Sequence, residues 1–149
     1  MTYAALITAW NGATQPPTGV TGTALTGGMT TAQKVAAVNA WTVPAAQPAI
    51  LNVTSVLNAI ASADFLALTA TQIAQMQLLL MSGANGTVNA SPGTTVRAVF
   101  QSIFAGKTTT LANLSALVSP YDNATELWVT ANGYGTGINT NDAAAAGLV

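Results

Sequence analysis

Few residues of this chain are able to take part in chemistry, and two short groups of them resemble known sites. The first is Gly106-Lys107-Thr108, which matches the end of a phosphate-binding loop, where the lysine contacts phosphate and the hydroxyl binds magnesium. The full motif needs a glycine where Gln101 stands and a strand before the loop, whereas residues 96–105 have a helical pattern. The sequence therefore favours a helix end followed by a solvated lysine over a nucleotide site.

The second group is Asp122 and Glu126, whose spacing would place two carboxylates on one face of a helix. The chain contains no histidine and no cysteine that would complete a metal shell or act as a general base. Acidic residues are also favoured at the start of a helix, where the helix dipole is positive, and this explains both positions. We therefore predict no catalytic residue, no metal site and no cofactor, and expect a protein that is not an enzyme.

Charge is scarce in this chain. Charged residues make up 5% of the 149 residues and the net charge is −1, whereas about 25% is usual for soluble domains. Its three basic residues, Lys34, Arg97 and Lys107, cannot neutralise a run of phosphates, so we expect no nucleic-acid partner. A surface that repels its neighbours so weakly favours a protein held in a fixed assembly.

Membrane insertion and secretion are also not expected. The densest apolar stretch, residues 77–81, is far shorter than the roughly 20 residues of a membrane-spanning helix. The N-terminal residues have no basic leader and no long apolar core, so they do not read as a secretory signal.

Helical periodicity dominates the chain, and no segment alternates long enough to predict a sheet. We predict an all-α fold, a compact bundle of about six or seven short helices with an extended Gly/Pro/Thr-rich N-terminal arm. The predicted division is residues 1–29, a short helix plus the arm, and residues 30–149, the helical domain. Capping boxes are predicted at Thr30 with Gln33 and at Thr69 with Gln72.

Further helix boundaries follow from apolar spacing and from proline and glycine. A helix is predicted over 49–61 with Ile50, Val53, Leu57 and Ile60 buried, and a central buried helix is predicted over 73–82. Three more helices are predicted: one that begins at Ser91-Pro92, one over 109–119 that ends at Pro120, and a short one that opens at Asp122.

The arm, residues 12–28, is predicted to be either a loose loop or an extended segment that lies on a neighbouring subunit. In the second case Val20 and Leu25 would anchor it. Large aromatic residues elsewhere are candidates for the core or for subunit contacts: Trp10, Trp41, Trp128 and Tyr134. Tryptophan faces beside amide side chains also bind carbohydrate, so a sugar-stacking platform is the alternative.

Several stretches resemble small helical bacteriophage virion-associated proteins. They are 64–72 (DFLALTATQ), 77–83 (QLLLMSG), 95–106 (TVRAVFQSIFAG), 109–117 (TTLANLSAL), 128–134 (WVTANGY) and 141–148 (NDAAAAGL). The resemblance covers the chain from about Thr30 onward and leaves the arm outside. It implies a virion protein of the capsid decoration, neck or tail accessory type, and it brings no catalytic residues.

The expected function is therefore a non-enzymatic structural subunit of a bacteriophage particle. Its partners would be other virion proteins and further copies of itself in a symmetric assembly, joined through apolar and amide-rich contacts. The alternative is a module that binds a host surface or a glycan.

Overall fold

The computed structural model describes residues 2–11 and 16–148. Its helices and strands, in chain order, are α1 (Ala4–Asn11), α2 (Thr31–Asn39), β1 (Thr42–Pro44), β2 (Ile50–Asn52), α3 (Val53–Ala59), α4 (Ser62–Leu66), α5 (Ala70–Met81), β3 (Thr87–Asn89), α6 (Thr95–Ile103), α7 (Thr108–Asp122), β4 (Thr125–Leu127), α8 (Trp128–Ala131) and α9 (Thr140–Ala145).

The chain forms two compact units. The terminal unit consists of the described residues within Met1–Ala45 and Thr125–Val149, and the central unit is Ala46–Ala124. The predicted boundary near residue 30 is not the one that separates these units. Strand β1 pairs with β4, and this pairing joins the first part of the chain to the last.

Strands β1 and β4 hold the terminal unit together. They are antiparallel, with Thr42 opposite Leu127 and Pro44 opposite Thr125. Just beyond the sheet the Trp128 amide donates to the carbonyl of Trp41 at 2.8 Å, so the backbone pairing brings the two indoles together. Their rings meet edge to face with centroids 5.6 Å apart, a favoured arrangement for aromatic pairs.

The central unit has its own apolar core beside the second antiparallel pair, β2 and β3. Leu51 and Val88 are opposite one another in this pair, and both are buried. Phe100, Ile103 and Phe104 of the α6 region complete the core on the helical side. The spacing of these aromatic and aliphatic residues gives α6 one strongly apolar face, which it buries.

The all-α prediction is wrong, because the described residues include two small antiparallel two-stranded sheets. Each strand has three residues, too few to show an alternating pattern, and each pairs with a segment far away in sequence. The short helix predicted to open at Asp122 is also wrong: residues 125–127 form β4, and α8 begins at Trp128.

Both predicted capping boxes are confirmed. Thr30 accepts from the amide of Gln33, whose side chain accepts in return from the Thr30 amide, and Thr69 and Gln72 make the same reciprocal pair. These signals succeed because they depend on residues three positions apart and on no distant part of the chain.

The helix predicted over 49–61 is wrong in its start and its face. Residues 50–52 form β2, and α3 begins only at Val53, where the Asn52 side chain accepts from the Thr54 amide. The buried residues of α3 are Val56 and Ala59, whereas Leu57 of the predicted stripe is exposed. The shift arises because strand pairing, and not helical spacing, decides which side of this segment faces the core.

Two helix boundaries predicted from proline are also wrong. Helix α6 does not begin at Ser91-Pro92: Thr94 caps it, and Ser91 and Pro92 lie in the turn before it. Helix α7 continues past Pro120 to Asp122. A proline lacks one backbone donor, and so close to the end of a helix this loss does not stop the last turn.

The described part of the arm, residues 16–28, packs on its own terminal unit. Leu25 is buried in the core of that unit, Val20 packs against it, and Thr21 pairs with Thr42 through two backbone hydrogen bonds of 2.9 Å. Residues 12–15 of the predicted arm lie outside the described residues. In the described part, Val20 and Leu25 therefore anchor the segment to its own chain.

We expect Gly22→Ala to destabilise the terminal unit, because an added Cβ would lie 2.1 Å from Cδ1 of the buried Trp41 ring. Overpacking of this kind lowers the free energy of unfolding by about 1–3 kcal/mol. Gly27→Ala is the matched control, since a Cβ there meets open space, and its effect should stay within about 0.5 kcal/mol. Urea unfolding followed by tryptophan fluorescence measures both, and equal stabilities would contradict this packing.

Candidate functional site

The two motifs with a chemical precedent do not form sites. Gly106 has a φ of +80° and Lys107 precedes the first residue of α7, but the segment before them is helix α6 and not a strand. Asp122 ends α7 in the central unit, whereas Glu126 lies on β4 in the terminal unit, so the two carboxylates share no helix. Among the described residues no group of three His, Cys, Asp or Glu side chains is placed to hold a metal ion.

The predicted aromatic anchors lie inside the terminal unit. Trp10, Trp41, Trp128 and Tyr134 are each less than 9% exposed and share one cluster with Leu25. Because these side chains are buried, little of their ring faces is available to a sugar or to a neighbouring subunit.

Hydrogen bonds inside the chain occupy the polar atoms of two of these rings. The Trp41 indole N–H donates to the carbonyl of Thr23 at 2.8 Å, and the Tyr134 hydroxyl accepts from the Leu6 amide at 3.1 Å. Buried tyrosine and tryptophan need such partners, which is why these residues act here as core residues. The Lys34 ammonium lies 5.5 Å from the Trp10 ring centroid and covers that ring with a cation–π contact.

Tyr3 and Asp142 form a polar contact in the terminal unit. The Tyr3 hydroxyl donates to Asp142 at 3.1 Å, and this hydrogen bond, together with burial and the nearby negative charge, raises the pKa of Tyr3 above its ordinary value of 10.0. A raised tyrosine pKa keeps the phenol neutral. Any stabilisation from this shift is present below pH 10.0 and is lost as the pH rises through the raised pKa of Tyr3.

Exposed apolar side chains are concentrated on α4 and α5 of the central unit. Leu66 at the end of α4 is 82% exposed, and Leu78 and Met81 of α5 are 71% and 83% exposed. The prediction that α5 is a central buried helix is wrong, since only Met76 and Leu80 are buried along it. The large apolar side chains on its other side form a surface that sequence periodicity assigned to the interior.

A shallow depression lies at the end of α5. Its wall includes Ile50, which is exposed on β2, and Ser82 and Gly83, which directly follow α5. A Cβ on Gly83 would meet the Thr87 carbonyl oxygen at 1.8 Å, so the glycine allows the end of the helix to lie against β3. We name Leu78 and Met81, the two exposed large apolar side chains in the second half of α5, the α5-end surface.

The central unit also contains a half-open apolar cavity of about 430 Å³. Both strands β2 and β3 and three helices, α3, α6 and α7, contribute its lining, which is apolar in its buried part. Three polar residues take part in the lining: Arg97, Gln101 and Ser115. Arg97 and Gln101 are four apart on α6, so they lie one above the other on the same helix face.

Arg97 forms an ion pair across the end of α7. Its guanidinium donates to Oδ2 of Asp122 at 2.5 Å, and both side chains are largely buried. The other carboxylate oxygen, Oδ1, is buried and has no hydrogen-bond partner among the described residues. The pair fixes Arg97 at the cavity and offsets its charge, which leaves further N–H donors of the guanidinium for other acceptors.

Asp64 and Thr110 connect α4 to the start of α7. The Thr110 hydroxyl, which is fully buried, donates to Asp64 at 2.7 Å and accepts from the Ala61 amide at 3.0 Å. The Thr110 amide donates to the same carboxylate at 3.2 Å. Asp64 therefore satisfies an otherwise free donor of the first turn of α7, and this contact is structural.

Sequence reasoning missed the cavity and the ion pair beside it. From the sequence, Arg97 is one of three scattered basic residues, and Asp122 is a partner of Glu126 and the start of a short helix, so no pattern pairs Arg97 with Asp122. The alternation of apolar residues with Arg97 and Gln101 along α6 was the available signal, since it places two polar groups at the edge of a buried face. The partner residues come from α7 and the strands, which only the fold brings together.

Comparisons with known proteins give no relative: no family model matches this chain, and no curated protein or solved structure is significantly similar to it. Within the part of the chain that the structure describes, none of the helices has the length and apolar content required to cross a bilayer.

We expect Thr110→Val to lower the free energy of unfolding by about 1–3 kcal/mol, because it leaves the Ala61 amide and the Asp64 carboxylate each without one buried partner. Thr110→Ser should retain most of the stability. The neighbouring Thr109 is exposed, and Thr109→Val should change stability by less than about 0.5 kcal/mol. Similar urea midpoints for Thr110→Val and Thr109→Val would contradict a structural role for this contact.

Proposed function

We propose that this protein is a non-enzymatic structural subunit of a bacteriophage particle, of the capsid decoration, neck or tail accessory type. The observation that supports this most directly is the exposure of Leu66, Leu78 and Met81 on a chain with 5% charged residues. Leu78 and Met81 are three residues apart on α5, and large apolar side chains exposed side by side mark sites of contact with other proteins. The resemblance of residues 64–117 to virion-associated proteins supports the same assignment.

The contact would depend on apolar burial and not on charge. Fully burying one leucine or methionine side chain contributes about 1.5–3 kcal/mol, and many copies around a symmetric particle repeat that gain. Few ion pairs are available at such a surface, so salt would have little to screen. The partners are then other virion proteins and further copies of this chain.

The residues of the resemblance also support a structural role. Asp64 opens the first similar stretch, Thr110 lies at the start of the fourth, and the two side chains are hydrogen-bonded to each other. This contact joins α4 to the first turn of α7 and requires no chemistry at either residue.

We expect quantitative mass spectrometry of gradient-purified phage particles from the source of this chain to detect the protein in a fixed ratio to the major capsid protein. A high ratio would indicate shell decoration, and a ratio of a few copies per particle would indicate the neck or tail. Its absence from clean particles would contradict the proposal.

We expect the double variant Leu78→Gln/Met81→Gln to bind its assembly partner at least tenfold more weakly, because it removes the apolar part of the α5-end surface. Leu57→Gln, at a 45% exposed leucine of α3, is the matched control and should bind as the native protein does. Binding of the native protein should also persist at about 1 M salt, where the Debye length is about 3 Å. Equal losses in both variants, or dissociation by salt alone, would refute the assignment of this contact.

A further inference from the structure

The geometry points to a ligand site in the central unit: the cavity beside Arg97 binds one small, electrically neutral amphipathic molecule, with an aliphatic chain in the cavity and an oxygen acceptor at the guanidinium. This site goes beyond the proposed structural function and does not depend on it. The argument rests on the size of the cavity, on the separation of its polar and apolar lining, and on the charge balance at Arg97.

The size of the cavity fits a small ligand. About 430 Å³ lies within the range of about 300–1,000 Å³ that is usual for small-molecule sites. A molecule with a chain of about eight carbons and one polar group is of the size that cavities in this range accept. The cavity is half-open, so a ligand can enter it from solvent.

The deep wall of the cavity is apolar and is formed by paired strands and three helices. Leu51 and Val88 form it on the sheet side, where they are direct partners across β2 and β3. Val56, Phe100 and Val118 close it from three helices, and each is less than 10% exposed. Water gains few hydrogen bonds on such a wall, so an aliphatic chain is the occupant that this part of the cavity favours.

The polar residues lie toward the outside of the same cavity. Gln101 and Ser115 are exposed, and Arg97 is partly exposed at 19% of its side chain. These residues supply amide, hydroxyl and guanidinium donors within one helix turn on α6 and from the facing helix α7. An acceptor held at this edge would leave its chain directed at the apolar wall, which is the reason for assigning an amphipathic ligand.

The charge balance at the edge favours a neutral polar group. Asp122 already offsets the Arg97 charge, and its buried Oδ1 accepts no hydrogen bond from any residue that the structure describes. An anionic ligand would have to share Arg97 with this carboxylate, and like charges held close together repel. A cationic ligand would meet the guanidinium. A hydroxyl or carbonyl oxygen accepts from the free N–H donors without either cost.

The test is an NMR titration of the isotope-labelled full chain with 1-hexanol, 1-octanol, octanoate and octylammonium. We expect saturable shifts of the Leu51 and Val88 methyl signals, with 1-octanol about fifteenfold tighter than 1-hexanol, since each added buried methylene contributes about a factor of four. Octanoate and octylammonium should bind at least tenfold more weakly than 1-octanol. Equal affinities for all three octyl compounds would overturn the assignment of a neutral ligand, and the absence of saturable shifts would overturn the site.

A cavity-filling variant locates the binding. Ala90→Leu places additional methyl groups in the cavity, since Ala90 lines it, and should weaken 1-octanol binding at least tenfold. Its melting temperature should be equal or higher, because filling a cavity commonly stabilises a protein, and this readout excludes loss of the fold. Ala98→Leu on the exposed side of α6 is the matched control and should bind as the native chain does.

Two results with these variants would overturn the proposal. One is an unchanged 1-octanol affinity in Ala90→Leu, which would place the ligand elsewhere. The other is a native chain that self-associates in size-exclusion chromatography and loses this association in Ala90→Leu, without any saturable 1-octanol shift. In that case the cavity would receive a side chain of a second copy and not a small molecule.

Discussion

Scarcity of charge is the constraint on which the rest of this structure depends, because buried and terminal backbone groups must then be satisfied by hydroxyl and amide side chains. Thr30 and Thr69 cap two helices through reciprocal hydrogen bonds with Gln33 and Gln72. Asn39 uses both polar atoms of its amide on the backbone of Ile138, at 2.8 Å each. Neutral contacts of this kind are short in range and specific in direction, so they fix the ends of short helices without any field that salt would screen.

Each unit closes its core by pairing segments that are distant in sequence. In the terminal unit the β1–β4 pair brings Trp41 and Trp128 together, and the ring of Tyr134 packs on the Trp128 indole at 5.9 Å. In the central unit the β2–β3 pair supplies one wall for helices α3, α6 and α7. The terminal unit fills its interior with aromatic rings, whereas the central unit leaves a cavity beside its only ion pair among the described residues.

The buried aromatic residues stabilise the terminal unit, whereas the residues proposed to contact other proteins are exposed aliphatic ones. Aromatic residues carry polar atoms that need a partner once buried, and the core of the terminal unit provides those partners to Trp41 and Tyr134. On α5, Met76 and Leu80 are buried in the core of the central unit, whereas Leu78 and Met81 of the same residue types are exposed. The residues proposed to contact other proteins are thus different from those that the sequence first suggested, and the proposed contact uses burial of aliphatic surface.

The sequence by itself determined what depends on composition or on residues a few positions apart: the low charge, the lack of histidine and cysteine, and the caps at Thr30 and Thr69. Only the tertiary structure decided the three-residue strands, the exposed face of α5, and the cavity with Arg97 and Asp122. A strand of three residues forms because a distant strand accepts its hydrogen bonds, and a helix face is buried only where another element covers it. Such partners lie far away along the chain, and local spacing contains no information about where the fold will place them.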